Sequence, residues 1–320
     1  MLSKKIHKID LAIDALSLHE YECRLCPREC GVNRKKGETG YCSTGYQASV
    51  SHALLHFGEE PVISGKSKAK QGSGTVFFTG CSLKCKFCQN YQLSWLNKGN
   101  SVSDEELATM FLDLQSKGAL NLNLVTPSHV LLPVLKALNI AYSQGLNLPL
   151  VYNSSAYEKS TVIKHLTGIV DIYLPDLKYY YSPLAKNLSN APNYFKHASQ
   201  VVLEMSAQQP VLYIGKENTA EKGLILRHLV LPGQVEDSLK ILKWVKEKLP
   251  ASIGLSLMNQ YSPCFKTPIE FNRTLTRQEY CRVLDYSKKI GLEYLFFQPE
   301  PFYQDENLMP NFSNKKPFNF

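Results

Sequence analysis

The sequence predicts an α/β fold, in which a partial or complete parallel (β/α) barrel follows a small cysteine-rich module. Strand-like apolar runs alternate with helical patterns about six or seven times between residues 75 and 298, which is typical of a parallel sheet covered by helices. Polar residues directly follow several of these strands, and the carboxyl ends of barrel strands share one mouth. A doubly wound open sheet is the alternative fold, but it lacks a mouth shared by so many strands.

The composition is that of an ordinary globular protein with a local concentration of cysteine. The chain has 320 residues, a net charge of +8 and nine cysteines, and seven of these lie between Cys23 and Cys88. No apolar run reaches membrane-spanning length and the first residues do not resemble a signal peptide, so we expect a cytoplasmic protein without a membrane partner. In that compartment clustered cysteines indicate metal or redox chemistry rather than disulfides. The basic residues are scattered, which argues against a nucleic-acid partner.

Residues 1–74 are predicted to form the cysteine-rich module. Apolar spacing predicts a helix over residues 4–17 and a strand over residues 47–57. Between these elements the spacing C-x2-C-x3-C-x11-C can close four thiolates around a metal, and its members are Cys23, Cys26, Cys30 and Cys42. Structural zinc and a second iron–sulfur cluster both suit this set, and free thiols are the third alternative.

Four polar residues near the end of the module also have side chains that could bind a metal. They are His52, His56, Glu59 and Glu60. Residues of these types at strand ends are more often exposed polar groups. We therefore expect them at the protein surface.

The core over residues 75–298 begins with a buried strand, Thr75–Thr79, and then repeats strand and helix. Capping boxes at Ser103–Glu106 and Thr276–Glu279 start helices that end near residues 118 and 290. Other helices are predicted at residues 130–143, between 157 and 168, at 193–208 and at 236–249. The remaining strands are predicted at residues 121–127, 148–153, 169–174, 224–231, 253–258 and 292–297. Residues 299–320 have no clear period and are predicted to form an irregular C-terminal extension.

The loop after the first core strand has three cysteines in the spacing C-x3-C-x2-C, namely Cys81, Cys85 and Cys88. Three thiolates on one such loop can bind three corners of a cubic iron–sulfur cluster, which normally takes four cysteines. The next cysteine downstream is Cys264, so no local cysteine completes the set. One iron would then remain open for chemistry.

This loop, with the aromatic Phe87 directly before its last cysteine, resembles the signature of the radical S-adenosylmethionine (SAM) superfamily. The resemblance implies a radical SAM type of barrel and a cluster of four irons and four sulfurs (4Fe-4S) whose open iron chelates SAM. It also implies reductive cleavage of SAM to methionine and a 5′-deoxyadenosyl radical. A zinc knuckle or unrelated cysteines are the alternatives to this cluster.

Several strand ends resemble the SAM-contacting segments of pyruvate formate-lyase activating enzymes. Asp176 and Lys178 match their Asp-x-Lys segment, Arg227 matches an arginine on a strand before Pro-Gly, and Asn153 stands where they have a Thr-Asn-Gly turn. Side chains alternate along a strand, so only one of Arg227 and His228 is expected to point inward.

The chain departs from the family at the end of the second core strand. Many radical SAM enzymes have Gly-Gly-Glu there to receive the amino group of SAM, whereas this chain has Thr-Pro followed by Ser128 and His129. Either of these two residues is a candidate acceptor, since a neutral imidazole can accept a hydrogen bond. The resemblance places both, together with Phe87, among the expected SAM-binding residues.

Together these features predict a radical SAM enzyme that abstracts hydrogen from a protein, with a glycyl radical enzyme as one such substrate. It would need a one-electron donor such as flavodoxin or ferredoxin. Radical modification of a peptide or small molecule is one alternative, and a non-enzymatic zinc or iron–sulfur binding module is another.

Overall fold

A computed structural model of the chain describes residues 2–65, 71–293, 295–297 and 309–318. Residue 294 of the predicted last strand and residue 298 at the end of the predicted core lie outside these ranges. Residues 299–308, 319 and 320 of the predicted extension also lie outside them.

The described residues form ten strands and ten α-helices, joined by loops and short 3₁₀ turns. The strands are β1 (Ala48–His56), β2 (Ser73–Phe78), β3 (Asn100–Val102), β4 (Leu122–Val125), β5 (Leu150–Ser154), β6 (Ile172–Pro175), β7 (Tyr213–Ile214), β8 (Ala220–Leu229), β9 (Gly254–Met258) and β10 (Leu295–Phe297). The helices are α1 (Leu2–Leu16), α2 (Pro61–Ser64), α3 (Tyr91–Ser94), α4 (Asp104–Ser116), α5 (Leu131–Ser143), α6 (Ser160–Lys164), α7 (Ser182–Ser189), α8 (Tyr194–Gln208), α9 (Val235–Lys248) and α10 (Arg277–Lys289). Within the described ranges, no helix has both the length and the apolar character needed to cross a bilayer.

One sheet organises the molecule, in the order β10-β9-β8-β6-β5-β4-β2-β1-β3. Seven strands are mutually parallel and lie side by side in chain order, namely β2, β4, β5, β6, β8, β9 and β10. At one edge, β1 pairs antiparallel with β2, and β3 pairs antiparallel with β1. Each crossover therefore advances in the same direction, and right-handed crossovers that all advance one way place their helices on one face. This is the arrangement of an open, partial barrel, and it differs from a doubly wound sheet.

The alternation of side chains along β2 shows the two faces. All six residues of β2 are buried. Val76 and Phe78 belong to the main core beneath the helices, whereas Phe77 packs on the inner face with Phe312 and Phe318 of the C-terminal segment. The described part of the extension, residues 309–318, thus packs against the inner face near β1 and β2.

The chain between β1 and β2 also enters the inner face. Ile63 of α2 is fully buried among Val151, Ile172 and Ile225, which project inward from three neighbouring strands. The Asn121 side chain donates to the Ile63 carbonyl over 2.7 Å and fixes this segment. As a consequence the two residues just before α2, Glu59 and Glu60, are carried towards the strand ends.

The predicted cysteine-rich module, residues 1–74, packs against the sheet through β1 and α1. β1 pairs with β2 over most of its length, and α1 packs on α5 with Ile9 and Leu16 buried. Lys5 of α1 forms an ion pair with Asp171 over 2.6 Å. The predicted boundary between residues 74 and 75 falls inside β2.

Most predicted elements are confirmed, including both capping boxes. The helix predicted after Tyr157 is only the five-residue α6, because the chain turns after Lys164, and the last strand begins at Leu295. The elements that the sequence did not indicate, β3, β7, α2, α3 and α7, have two to eight residues. Such short elements show too little of a hydrophobic period to be recognised.

Candidate functional site

A cavity of about 240 Å³ lies where the strands end, and residues from six parallel strands or the loops after them surround it. Among its lining residues are Cys81, Cys85, Phe87, Cys88, Thr126, Asn153, Asp176, Lys178, Arg227 and Met258. The structure thereby brings together all three cysteines of the C-x3-C-x2-C loop and five of the seven residues predicted to contact SAM, namely Phe87, Asn153, Asp176, Lys178 and Arg227.

The backbone around Gly80 places the cysteine loop close to the upstream cysteines. Gly80 has φ +82°, and a Cβ added there would lie 2.4 Å from the Thr44 hydroxyl oxygen and 2.5 Å from the Cys42 carbonyl oxygen. Only glycine fits both the conformation and the space. The turn after it aims the amide groups of Leu83 and Lys84 at the Cys81 sulfur, at 3.4 and 3.5 Å.

Aromatic side chains hold the rest of the loop in place. The Trp95 indole donates to the Cys85 carbonyl over 3.0 Å. Phe87 is buried and packs edge-on against Tyr179 and at a tilt against Tyr261. The loop is therefore a preorganised frame for its three sulfur atoms.

The three thiols are free, and burial affects their chemistry. Burial, followed by the neighbouring Cys85, raises the pKa of Cys81, and burial raises the pKa of Cys88 to about 12. The Leu83 and Lys84 amides oppose the rise in the pKa of Cys81, the Ser94 hydroxyl opposes the rise in the pKa of Cys88, and the Lys178 charge opposes both, without cancelling either. Such thiols ionise when a metal displaces their protons, so the donor set suits a metal centre.

Arg227 is the centre of the polar network on the inner wall. Its Nε donates to Asp176 over 2.7 Å, its Nη1 to Glu59 over 2.8 Å and its Nη2 to Asn153 over 2.7 Å. One guanidinium thus joins β5, β6 and β8 to the segment that precedes α2. Its Nη1 also lies 3.8 Å from the Glu60 carboxylate, so three carboxylates surround this one cation.

Asp176 and Lys178 form an ion pair at the end of β6. The Lys178 ammonium donates to the Asp176 carboxylate over 2.7 Å. Burial opposes ionisation of Asp176, but the adjacent Arg227 and Lys178 outweigh it and lower the pKa of Asp176. Burial likewise opposes the charge on Lys178, but Asp176 and then Cys85 outweigh it and raise the pKa of Lys178. Both groups are therefore ionised at neutral pH, and the cation faces the cysteine loop.

The expectation that Glu59, Glu60 and His56 lie at the surface is wrong. The Glu59 side chain is 10 % exposed, and its second oxygen accepts from Asn123 and Asn153 over 3.3 and 3.2 Å. Burial and then the nearby Glu59 raise the pKa of Glu60, although Arg227 opposes this. An arginine predicted to face the inside of a barrel requires carboxylate partners, and this signal could have found Glu59.

Ser128 and His129 are not among the residues that line the cavity, and both are buried in the turn after β4. His129 donates from Nε2 to the Thr79 carbonyl over 2.7 Å, so its Nδ1 is the acceptor nitrogen. Thr126, which does line the cavity, has φ +55° and reverses the chain before this turn.

Of the neighbouring pair on β8, Arg227 points into the cavity and His228 points away. His228 is buried, where Nδ1 donates to the Leu177 carbonyl over 2.7 Å and Nε2 accepts from Ser238 over 2.9 Å. It therefore connects β8 with α9 and has no path to the cysteine loop.

The four upstream cysteines form a second group beside the first. Cys23 and Cys42 are buried, Cys26 is half-buried and Cys30 is exposed. Among the described residues, no three His, Cys, Asp or Glu side chains converge as ligands of a single metal ion. In a 4Fe-4S cluster each cysteine binds its own iron atom, so the sulfur atoms stand apart.

Comparisons with known proteins show the fold. No family model matches the chain. A radical SAM methyltransferase from Sphaerobacter thermophilus has a similar structure, with a TM-score of 0.51 and 12 % identity, over 71 % of this chain and 66 % of that one. The chain thus has the mixed α/β fold, with a large and mostly parallel sheet, that is found in radical SAM enzymes.

Two further comparisons concern one solved structure and one protein sequence. SuiB from Streptococcus suis, in its complex with S-adenosylmethionine, aligns with a TM-score of 0.46 and 16 % identity over 69 % of this chain. This chain spans about half of SuiB, namely 48 % of its length. An uncharacterised protein of Methanocaldococcus jannaschii is 28 % identical over 304 residues, which is 91 % of this chain and 82 % of that protein.

Replacing Glu59 by Gln should destabilise the protein by about 3 kcal/mol, because it removes one counterion from a buried arginine. Urea unfolding of the metal-free protein measures the change. Glu270→Gln is the matched control, since Glu270 is exposed and pairs only with Asn187 at the surface. Equal stability of the two variants would show that the Arg227 network does not depend on Glu59.

Stability should fall as the pH decreases from 6.5 towards 4. Burial lowers the pKa of His56, His129 and His228 to about 4, whereas the unfolded imidazoles bind protons near 6.5. As the pH falls, the unfolded state binds these protons before the folded state does. Each imidazole should therefore lower the free energy of unfolding by about 2 kcal/mol between pH 7 and 5.

Urea unfolding at the two pH values measures this dependence. His228→Asn keeps a donor for the Leu177 carbonyl and should reduce the dependence by about a third, as expected when one of three imidazoles is removed. His7→Gln, at an exposed position, should leave it unchanged. A dependence that is the same in wild type and His228→Asn contradicts the assignment.

Proposed function

We propose that this protein is a radical SAM enzyme, in which Cys81, Cys85 and Cys88 hold a 4Fe-4S cluster and SAM binds in the adjoining cavity. When bound, these groups supply reductive cleavage of SAM to methionine and a 5′-deoxyadenosyl radical, which abstracts hydrogen from a substrate. The cluster must be reduced by a one-electron donor, such as flavodoxin or ferredoxin. The finer likeness to pyruvate formate-lyase activating enzymes is part of this proposal.

One observation carries the proposal: three cysteines on one loop and four charged or amide side chains from three other strands line the same cavity. The donors are three thiols, and no fourth cysteine is among the described residues that line the cavity, which suits a cluster with an open iron. The Cys264 thiol lies next to this loop, but it donates to the Cys88 carbonyl over 3.4 Å and does not line the cavity, whereas a zinc knuckle would require a fourth ligand in the same site. The fold, which is also found in radical SAM enzymes, agrees with this assignment. The assignment itself rests on the residues that line the cavity.

The charged side chains can orient SAM without large movements. Lys178 has two N–H groups left after its bond to Asp176, and it lies between that carboxylate and the cysteine loop. It can donate to the carboxylate of SAM and balance the negative charge of the thiolates. Asp176 keeps acceptor capacity for hydroxyl groups of the ribose.

Arg227 and Asn153 would support this arrangement. Arg227 lines the cavity near the expected position of the SAM carboxylate, and three of its N–H groups hold the walls of the cavity together. Phe87 can cover one side of the cofactor with an apolar ring and exclude water. Thr126 lines the cavity, whereas Ser128 and His129 do not, so the backbone of Thr126 is the candidate acceptor for the amino group of SAM.

For the substrate, we propose a protein segment, with a glycine of a glycyl radical enzyme as the leading example. The support for this substrate is the likeness of Asn153, Asp176, Lys178 and Arg227 to the SAM-contacting segments of pyruvate formate-lyase activating enzymes, and all four residues line the cavity.

The active enzyme incubated with a glycyl radical enzyme should produce the doublet of a glycyl radical in the EPR spectrum. A stable mass shift in a peptide or small molecule, without this doublet, would instead support the alternative substrates. The same enzyme without SAM is the control, because no radical can then form.

The cluster assignment is tested with the protein reconstituted anaerobically with iron and sulfide. Wild type reduced with dithionite should convert SAM to 5′-deoxyadenosine, and Cys85→Ala should form none, since it lacks one cluster ligand. Cys281→Ala, which changes a cysteine on α10 outside both cysteine groups, is the matched control and should retain activity.

Two results would overturn the assignment. One is a wild-type protein with full iron loading that forms no 5′-deoxyadenosine. The other is undiminished activity in Cys85→Ala. Zinc rather than iron at both cysteine groups would support the non-enzymatic binding module.

A further inference from the structure

A buried arginine lies against one of the upstream cysteines. The Arg34 side chain donates from Nη2 to the Cys42 sulfur over 3.3 Å, and from Nη1 to the carbonyls of Thr44 and Gly45 over 3.0 and 2.9 Å. Arg34 is only 7 % exposed. This guanidinium thus holds the Cys42 sulfur and the turn that follows it in one place.

The backbone folds the four cysteines into one place. The Cys23 amide donates to Val32 over 3.0 Å, and Gly31 donates back to Cys23 over 3.0 Å, so residues 23–32 form a closed loop. The Cys30 sulfur would lie 2.5 Å from a Cβ added to Gly40, which brings the segment of Cys42 against this loop. Two separate stretches of chain thus meet at the sulfur atoms, as they do in structural metal sites.

This group is in direct contact with the loop that lines the cavity. The amide of Cys81 donates to the carbonyl of Cys42 over 3.3 Å. The Lys84 ammonium, from the same loop as Cys81, donates to the Ser43 hydroxyl over 2.7 Å. One hydrogen bond between two cysteine residues therefore connects the two groups.

The two groups also differ in access to solvent. Cys30 is exposed, whereas Cys81 and Cys88 are half-buried and Cys85 is only 7 % exposed. A partner protein can approach the upstream group more closely than the cavity group. An electron that enters at Cys30 would leave beside Cys42, next to Cys81.

From this placement we infer that Cys23, Cys26, Cys30 and Cys42 hold a second iron–sulfur cluster, which passes electrons from the external donor to the cluster in the cavity. The inference rests on the proposed function. A reduced flavin or iron–sulfur protein loses one electron, the second cluster gains and then releases it, and the cavity cluster gains it. No bond forms or breaks in this transfer. Zinc would not support the transfer, because it has no accessible second oxidation state.

The metal content of the unmutated protein is the first test. Anaerobically purified and reconstituted protein should contain about eight irons per chain and negligible zinc, because each cluster contributes four. A content of about four irons together with one zinc would overturn the inference. This measurement does not require any variant to fold.

The second test separates electron transfer from SAM cleavage. The double variant Cys26→Ser/Cys30→Ser should retain about four irons. Freeze-quench EPR should show that reduced flavodoxin no longer reduces its cavity cluster on the wild-type timescale, whereas dithionite, a small reductant, still does. Cys281→Ser is the control and should match wild type in both measurements.

Unchanged reduction by flavodoxin in the double variant would overturn the relay. The readout is the oxidation state of the cavity cluster, so it does not require SAM to be cleaved. A protein that has both clusters and transfers electrons, yet forms no 5′-deoxyadenosine with dithionite, would support the relay and contradict the proposed function. The two proposals can therefore fail separately.

Discussion

The structure depends on one buried cation, because Arg227 stands where three parallel strands end and compensates the carboxylates that meet there. Its partners come from β5, β6 and the segment before α2. Removing one partner of such a network leaves an unpaired buried charge, which is more costly than the pair itself is favourable. The wall of the cavity is therefore held together by the same charges that would orient a ligand.

A second constraint is the close approach of the two cysteine loops at Gly80. A side chain there would collide with the Cys42 carbonyl and the Thr44 hydroxyl, so the Cys42–Cys81 hydrogen bond needs the glycine. This contact fixes the upstream cysteines directly beside the loop that lines the cavity. The same turn directs two backbone amides at the Cys81 sulfur.

Much of this arrangement was predictable where the signal is local. Two capping boxes were recognised from residues three positions apart, and the buried strand β2 from its run of β-branched and aromatic residues. The positions of Asn153, Asp176 and Lys178 at strand ends followed from the rule that parallel strands share one functional edge. Short elements such as α2 and β7 were not predicted, because they are too short to show a hydrophobic period.

Sequence by itself determined the two cysteine spacings, the alternation of strand and helix, and the polar residues at the strand ends, since each of these is a property of neighbouring residues. Only the tertiary structure decided which side chains share the cavity. Glu59 meets Arg227 across 168 positions of chain, Arg227 faces inward where His228 does not, and Cys42 touches Cys81. The physical reason is that the register and twist of a sheet decide which distant residues become neighbours, and no local pattern encodes that choice.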